Sequence, residues 1–466
     1  MSSLHAPGAR HDDPPAAGAT AALVRFVGAV GYDGLDAEVR HYARRHLLDT
    51  VGVMIAGAAG DIAGKAETVI KAVRGDGSVP VPGRARRADL LDAAFLGGTA
   101  AHGIELDDGY RQGSVHPGCA VVPALLAVGW QAGVSGRDLI AAMVAGYETT
   151  IAIARACHPD LRRRGFHPTA ACAVFGAAAA VARLEGLGQA QLADALGIAA
   201  SSAGGLFAFV NGGADIKRLH AGHAAREGLQ AALLAAAGVQ GPPDVIETRD
   251  GFMQAFAFGS EGARAIALPP AVPFGITDCY VKPYACCRHL QPAVEALAGI
   301  LRDENIAFAA IERVEVETYR IAAEHAHTGW DDFAGAQLSF PFLLGLAARY
   351  RGIDLAHFDE TTRRDPAFAA FARKIAVTAP AEIDRLYPRL RPARVTVRTA
   401  RGAFTRQADE ALGSRLVPLD DEGLKAKFSG LASPVLGAAR AETLARRLWD
   451  IETAADVRPI VEMMAL

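Results

Sequence analysis

One apolar rhythm runs from about residue 19 to residue 267, and a cluster of prolines ends it. Within that span apolar residues recur at three- and four-residue spacing, as in Val39, Tyr42, Ala43, Leu47, Val51 and Met54, which puts them on one stripe of a helix. Ala-rich versions of the same pattern predict helices over 90–101, 121–130, 139–156, 169–184, 191–202 and 217–237, and no segment there alternates as a strand would. So much alanine and glycine lets helices approach closely, which fits a multi-helix bundle.

Pro269, Pro270 and Pro273 cannot continue a helix and mark a domain boundary. Beyond them the period changes to two. Val314, Val316 and Thr318 alternate with Glu315 and Glu317, and Val395, Val397 and Thr399 alternate with Arg394, Thr396 and Arg398. Ala400-Arg401-Gly402 can turn the second strand into a hairpin with 403–407, and helical patterns fall at 289–302, 342–350 and 366–373. After about residue 411 the chain reads as helical again, with Ser433-Pro434 opening a helix through Leu448. The expected fold is mainly α with an α+β second domain: an all-helical domain over 18–270 and 411–466, a smaller antiparallel-sheet domain over 271–410, and a disordered tail over 1–17.

The 466 residues, 51% hydrophobic and 21% charged, suffice for two or three such domains. A formal net charge of -3, with no basic run longer than Arg162 to Arg164, excludes the electrostatic footprint of a nucleic-acid binder. The first 17 residues hold no apolar core for a secretory signal, and the apolar run 170–182 stops at Arg183, short of the roughly 20 residues a membrane span needs. A cytoplasmic enzyme with no nucleic-acid or membrane partner is therefore expected. Six scattered cysteines without a Cys-x-x-Cys pair point to neither a disulfide framework nor a zinc site, and adjacent Cys286 and Cys287 read as buried or inert thiols. No Gly-x-Ser-x-Gly elbow, nucleotide fingerprint or His-Glu-x-x-His occurs, so hydrolase, dehydrogenase and zinc-peptidase chemistry lose their support.

Four stretches concentrate ionisable groups. In the first, Glu105, Asp107 and Asp108 follow His102, and His116 comes eight residues after Asp108. Such a density reads either as a cleft with acid/base groups or as a capped, solvated helix end, and Glu105 and Asp108 share a face if the helix reaches them. The second is a repeated design: His116-Pro117 and His167-Pro168 each place a proline where a helix begins. A helix N-terminus attracts a substrate carboxylate and disfavours imidazolium, so these histidines are candidate bases, with a structural cap as the alternative. His158-Pro159 instead leads into Asp160-Leu-Arg-Arg-Arg and reads as an exposed turn.

In the third, Asp215 is a natural N-cap, which puts Lys217 in a first helical turn where the dipole opposes its charge. That placement suits a lysine that binds an anion or acts as a base, against the alternative of a solvent-facing lysine. Arg218 adjoins it, and His220 and His223 read as packing or helper groups. The fourth, Lys282-Pro-Tyr284-Ala-Cys-Cys-Arg288-His289, follows the proline boundary and reads as substrate-binding, or as a polar hinge.

Taken in order, Ala101-His-Gly-Ile-Glu-Leu-Asp-Asp, His116-Pro-Gly, Gly165-Phe-His-Pro-Thr, Lys217-Arg-Leu-His-Ala-Gly-His-Ala-Ala and Lys282-Pro-Tyr-Ala-Cys-Cys resemble the successive motifs of the MmgE/PrpD family, from about residue 20 to the C-terminus. Members include 2-methylcitrate dehydratase, cis-aconitate decarboxylase and iminodisuccinate epimerase. The resemblance implies a helical domain made from both chain ends, an inserted α+β lid, a homodimer, no metal and no cofactor. It implies a lyase, either hydro-lyase or decarboxylase, acting on a small di- or tricarboxylate. An epimerase and an inactive carboxylate-binding relative stand as alternatives. Carried over by position, the acidic stretch is Glu105 to Asp108, the two histidines are His116 and His167, and the lysine is Lys217. Asp107, Asp108, His116, His167 and Lys217 are then the candidate catalytic groups, with Glu105, Arg218, Lys282, Tyr284 and Arg288 on the substrate. Where some members have threonine after the Asp-Asp pair, this chain has Gly109.

Overall fold

Short polar caps start three of the helices. Asp36, Asp89 and Ser135 each accept a hydrogen bond from the backbone N–H three residues on, satisfying an amide that a helix start leaves unpaired. The computed structural model describes residues 17–211 and 215–466. The expected tail therefore falls outside the described residues, apart from Ala17, as do Gly212 and Gly213 of the lysine motif. The chain divides into two units, one ending its first stretch at Tyr280 and resuming over Asp421–Leu466, the other formed by Val281–Asp420.

The first unit carries α1 (Ala19–Ala29), α2 (Ala37–Ala58), α3 (Asp61–Arg74), α4 (Leu90–His102), α5 (Gly118–Ala132), α6 (Gly136–Cys157), the single turn α7 (Asp160–Arg163), α8 (Pro168–Leu184), α9 (Gln189–Ser201), α10 (Ile216–Ala236) and α11 (Phe252–Phe256). Helix α10 packs on α8 and α4, α8 also packs on α6, and α4 lies against α5 and α2. Gly146 of α6 and Gly176 of α8 allow one of the close crossings: a Cβ on Gly146 would lie 2.7 Å from the Gly176 carbonyl oxygen. α6 is long and apolar enough to cross a membrane, but 89% of that window is buried inside the fold. Strands were not expected here. A two-residue hairpin, β1 (Val79–Pro80) with β2 (Arg87–Ala88), is nevertheless present, too short to leave a period of two in the sequence.

The second unit holds α12 (Gln291–Asp303), β3 (Arg313–Thr318), α13 (Arg320–Ala323), α14 (Phe333–Ala336), α15 (Phe340–Tyr350), α16 (Glu360–Arg364), α17 (Pro366–Ala372), β4 (Ile375–Thr378), α18 (Ala381–Asp384), β5 (Ala393–Thr399) and β6 (Gly402–Ala408). Its sheet runs β4-β3-β5-β6. The β5–β6 hairpin and the β3–β5 pair are antiparallel, and Val314, Val316, Val395 and Val397 are buried. On the other face Glu317 stands directly opposite Arg394 and binds its guanidinium at 2.5 Å. β4, however, pairs with β3 in parallel, so the sheet is mixed rather than antiparallel throughout. Its four residues are neither alternating nor fully buried, which is why the pattern missed them.

The chain returns to the first unit with α19 (Asp421–Leu436), α20 (Ala438–Trp449) and α21 (Arg458–Glu462), α19 lying along α2. Here the boundary read from Ser433-Pro434 is wrong. α19 stays helical through Pro434, and the break comes at Gly437, whose φ of +81° no helix accommodates.

Candidate active site

Helix α4 stops at His102, and three residues on Glu105 takes a left-handed backbone, φ +56°. The helix therefore does not carry Glu105 and Asp108 on one face, as the spacing had allowed. Instead the loop sends its three carboxylates in three directions. Glu105 forms an ion pair with Lys217, giving the neighbourhood a placed positive charge. Oδ2 of Asp107 accepts from Nδ1 of His102 at 2.6 Å and lies 3.3 Å from Nδ1 of His116. Oδ1 of Asp108 accepts the Gly118 N–H at 3.1 Å, so the first amide of α5 serves this side chain.

Three further observations join the two histidine–proline segments. The His116 backbone N–H donates to Oγ1 of Thr169 at 3.2 Å, within the first turn of α8. His167 is the N-cap residue of α8, followed by Pro168 at the first helical position, and its own N–H donates to Gly205 at 2.9 Å. Between them stands His102, with ring centroids 5.1 Å from His116 and 5.7 Å from His167, and His220 of α10 continues the row 5.2 Å beyond His167. Nδ1 of His167 and Nδ1 of His220 are 3.0 Å apart. Burial, with the positive charges of this group, pushes His167 well below its ordinary value and His220 down to about 4, so both are neutral at pH 7.

Hydrogen bonds settle two tautomers. Nδ1 of His116 meets the Asp108 carbonyl oxygen, which can only accept, so Nδ1 carries the hydrogen and the neutral ring leaves its lone pair on Nε2. Behind the loop, Nε2 of His46 in α2 donates to the Ile276 carbonyl at 3.2 Å, leaving a lone pair on Nδ1 that faces Oδ2 of Asp108 at 3.3 Å. A carboxylate there would face a lone pair; a carboxylic acid would face an acceptor. Burial first, and Asp107 second, push Asp108 up to about 8, which makes the acid the resting form, while burial holds His46 down at about 3. Gly118 is where these groups converge: a Cβ there would meet Tyr147, Thr50 and Asp108 at 2.5, 2.6 and 2.8 Å. Asp107 and Asp108, adjacent in sequence, thus have different neighbours and different tasks.

Some partners left no local signal. Lys427 of α19 binds Asp49 of α2 at 2.6 Å and donates to the Leu106 carbonyl at 3.0 Å, so residues from opposite ends of the chain hold the acidic loop. His102 stood in the ionisable-rich stretch and His220 three residues after Lys217, so density could have found both. Asp49, His46 and Lys427 lie on ordinary helical patterns. Arg218 is buried but pairs with Asp215 at 3.0 Å, and Asp215 makes no side-chain cap bond. Exposed His158 and Pro159 form the turn read from the sequence.

Lys282, Tyr284 and Arg288 belong to the second unit. Lys282 is buried, Arg288 ties down the Ala411 and Leu412 carbonyls at 2.9 and 2.6 Å, and burial pushes Tyr284 up to about 12. The six cysteines are free thiols. Among the described residues, ligating atoms lie within 4.8 Å of one another in two groups, His102 with Asp107 and His116, and His46 with Asp108 and Cys279. In the first, the nitrogens nearest the carboxylate are engaged as hydrogen-bond donors, the arrangement of a carboxylate orienting imidazoles.

Such a loop of acidic side chains, a row of imidazoles and a lysine ammonium can move protons beside an anion. Comparison with known proteins matches both parts of the chain. The MmgE/PrpD N-terminal domain matches residues 21–264, and the MmgE/PrpD C-terminal domain matches residues 284–451. The chain is 27% identical over 478 residues to the cis-aconitate decarboxylase-like protein oryM of Aspergillus oryzae, covering 97% of this chain and 98% of that protein. It is 26% identical to the cis-aconitate decarboxylase of Aspergillus terreus, covering 97% of both chains, and 26% identical to that of Homo sapiens, covering 91% of this chain and 89% of the human protein. With both family domains matched in order along the chain, this protein belongs to the MmgE/PrpD family.

Proposed function

We propose that this chain is a lyase that removes carbon dioxide, or water, next to a carboxylate of a small di- or tricarboxylate, with cis-aconitate and 2-methylcitrate as the leading substrates. The observation that carries the reading is the row His116–His102–His167 beside the Lys217–Glu105 pair, assembled from three separate motifs of one helical unit. The relatives named above as cis-aconitate decarboxylases support the lyase class.

Breaking a bond beside a carboxylate leaves an electron pair on carbon, a charge too basic to form quickly without electrostatic help. Lys217 is the group that answers this charge and anchors a substrate carboxylate. Nε2 of His116, with its lone pair set by the Asp108 carbonyl, accepts or returns the proton. His167 is suited to the opposite step, because an imidazole whose protonated form is disfavoured by burial gives its proton up readily. Asp107 orients the row.

Mass spectrometry after incubation with cis-aconitate, 2-methylcitrate, citrate and iminodisuccinate tests the proposal. Loss of carbon dioxide or water from one of the first three supports it. A panel left chemically unchanged, or iminodisuccinate epimerised without mass loss, rules it out.

A further inference from the structure

The His167–His220 contact has a consequence for the proposed reaction, and rests on reading the histidine row as its centre. Two Nδ1 atoms 3.0 Å apart form a hydrogen bond only if one carries a hydrogen and the other a lone pair. Among the described residues neither side chain has another hydrogen-bond partner. Both rings are buried, so the shared hydrogen is what offsets their loss of water. Phe209 stands edge-on to both, at 5.3 Å from His167 and 6.0 Å from His220, and Phe207 closes on His167 at 5.7 Å. Neither ring is placed to turn away and pair elsewhere.

We propose that His220 is a positioning residue that sets the tautomer of His167 and holds a proton for it. The two neutral rings are locked in opposite tautomers. If His167 carries the hydrogen on Nδ1, its Nε2 is a base; if His220 does, Nε2 of His167 bears hydrogen and is an acid. Moving the shared hydrogen requires a proton to arrive at Nε2 of His167, which the substrate supplies. When Nε2 of His167 takes a proton from substrate, the Nδ1–H bond of His167 breaks and a new N–H bond forms at Nδ1 of His220, which becomes the imidazolium. His167 is left neutral with hydrogen on Nε2, and the reverse transfer restores the start. Charge therefore leaves His167, the ring that exchanges the proton.

The test uses the full-length protein with 15N-labelled histidine, in which protonated and unprotonated ring nitrogens are resolved by their shifts and His167 is assigned by substitution. His220→Leu should turn the single His167 pattern into a tautomer mixture and lower kcat by about tenfold or more with KM within about threefold. His220→Asn, whose amide can hydrogen-bond at the same place but cannot take up the proton, should keep a single His167 pattern and still leave kcat low. His220→Ala, smaller than leucine, should repeat the Leu result, which guards against misfolding of the larger variant. Identical His167 patterns in wild type, Ala and Leu would overturn the proposal, as would wild-type turnover in Asn. If the nitrogen pattern responds as expected while wild-type protein turns over none of the carboxylates, the positioning role stands and the lyase reading falls.

Discussion

Oδ2 of Asp107 is 2.6 Å from Nδ1 of His102 and 3.3 Å from Nδ1 of His116, so one carboxylate oxygen orients two imidazoles. A carboxylate only accepts, and it therefore favours hydrogen on the near nitrogen of each ring and basicity on the far one. An amide in its place can donate and reverse that preference. Asp107→Asn should lower kcat by about 10²-fold or more, in the range of a misdirected acid/base group, with a smaller change in KM. Steady-state kinetics check it; turnover within threefold of wild type would remove Asp107 from the reaction.

Lys217 and Glu105 form the charged pair of the cluster. Lys217→Ala should reduce kcat/KM by well over about tenfold while the protein stays folded, because a carboxylate anchor is lost. Lys217→Arg should recover little, since a planar fork does not reproduce a point charge. Equal kcat/KM in wild type and Lys217→Ala would contradict the assignment.

Asp108 predicts a pH dependence of stability. Its folded value, about 8, lies above the ordinary 3.8, so the folded state binds the extra proton; its contribution is full below about 4 and disappears as pH rises through about 8. His46 and His220, held down at about 3 and about 4, act oppositely: their contribution is complete above the ordinary 6.5 and falls away in acid. Glu148 and Glu295, pushed up to about 7, decline with Asp108. Between about pH 7 and pH 8 the fall should be due mainly to Asp108, at up to about 1.4 kcal/mol per pH unit. Urea denaturation across this window should show the slope in wild type and a flatter line in Asp108→Asn; equal slopes would count against the neutral acid.

Lys427 and Asp49 are both buried, 2.6 Å apart. Lys427→Met leaves Asp49 without its cation and should destabilise the protein by roughly 3–5 kcal/mol at neutral pH. Burial already raises Asp49, so on acidification the side chain should take up a proton and the penalty should shrink. Adding Asp49→Asn should recover part of the loss. Denaturant midpoints of the two single variants and the double variant give the coupling, and strictly additive losses would show that the pair does not act together.

Helices of the first unit were legible because their signal is local: a period near 3.6 is written into each segment, and alanine and glycine mark close crossings such as Gly146 with Gly176. The β5–β6 hairpin was legible for the same reason, its strands and its turn being adjacent. β4 was not. Its partner β3 lies far back in the chain, and four half-buried residues in parallel pairing leave no alternation. The Ser433-Pro434 boundary failed because proline only disfavours a helix, whereas Gly437 with φ +81° ends one.

In the candidate site, sequence alone marked the chemistry-bearing types: the crowding of Glu105, Asp107 and Asp108, the histidines before Pro117 and Pro168, and the lysine at a helix start. What each does depends on the atoms it faces. Only the tertiary structure separates Asp107, beside two imidazoles, from Asp108, an acid against the lone pair of His46. Only folding brings Lys427 to Asp49, and His220 to His167, across long stretches of chain. Local patterns are set by neighbours in sequence, but protonation, tautomer and pairing are set by neighbours in space, through desolvation and hydrogen bonds that the linear order does not contain.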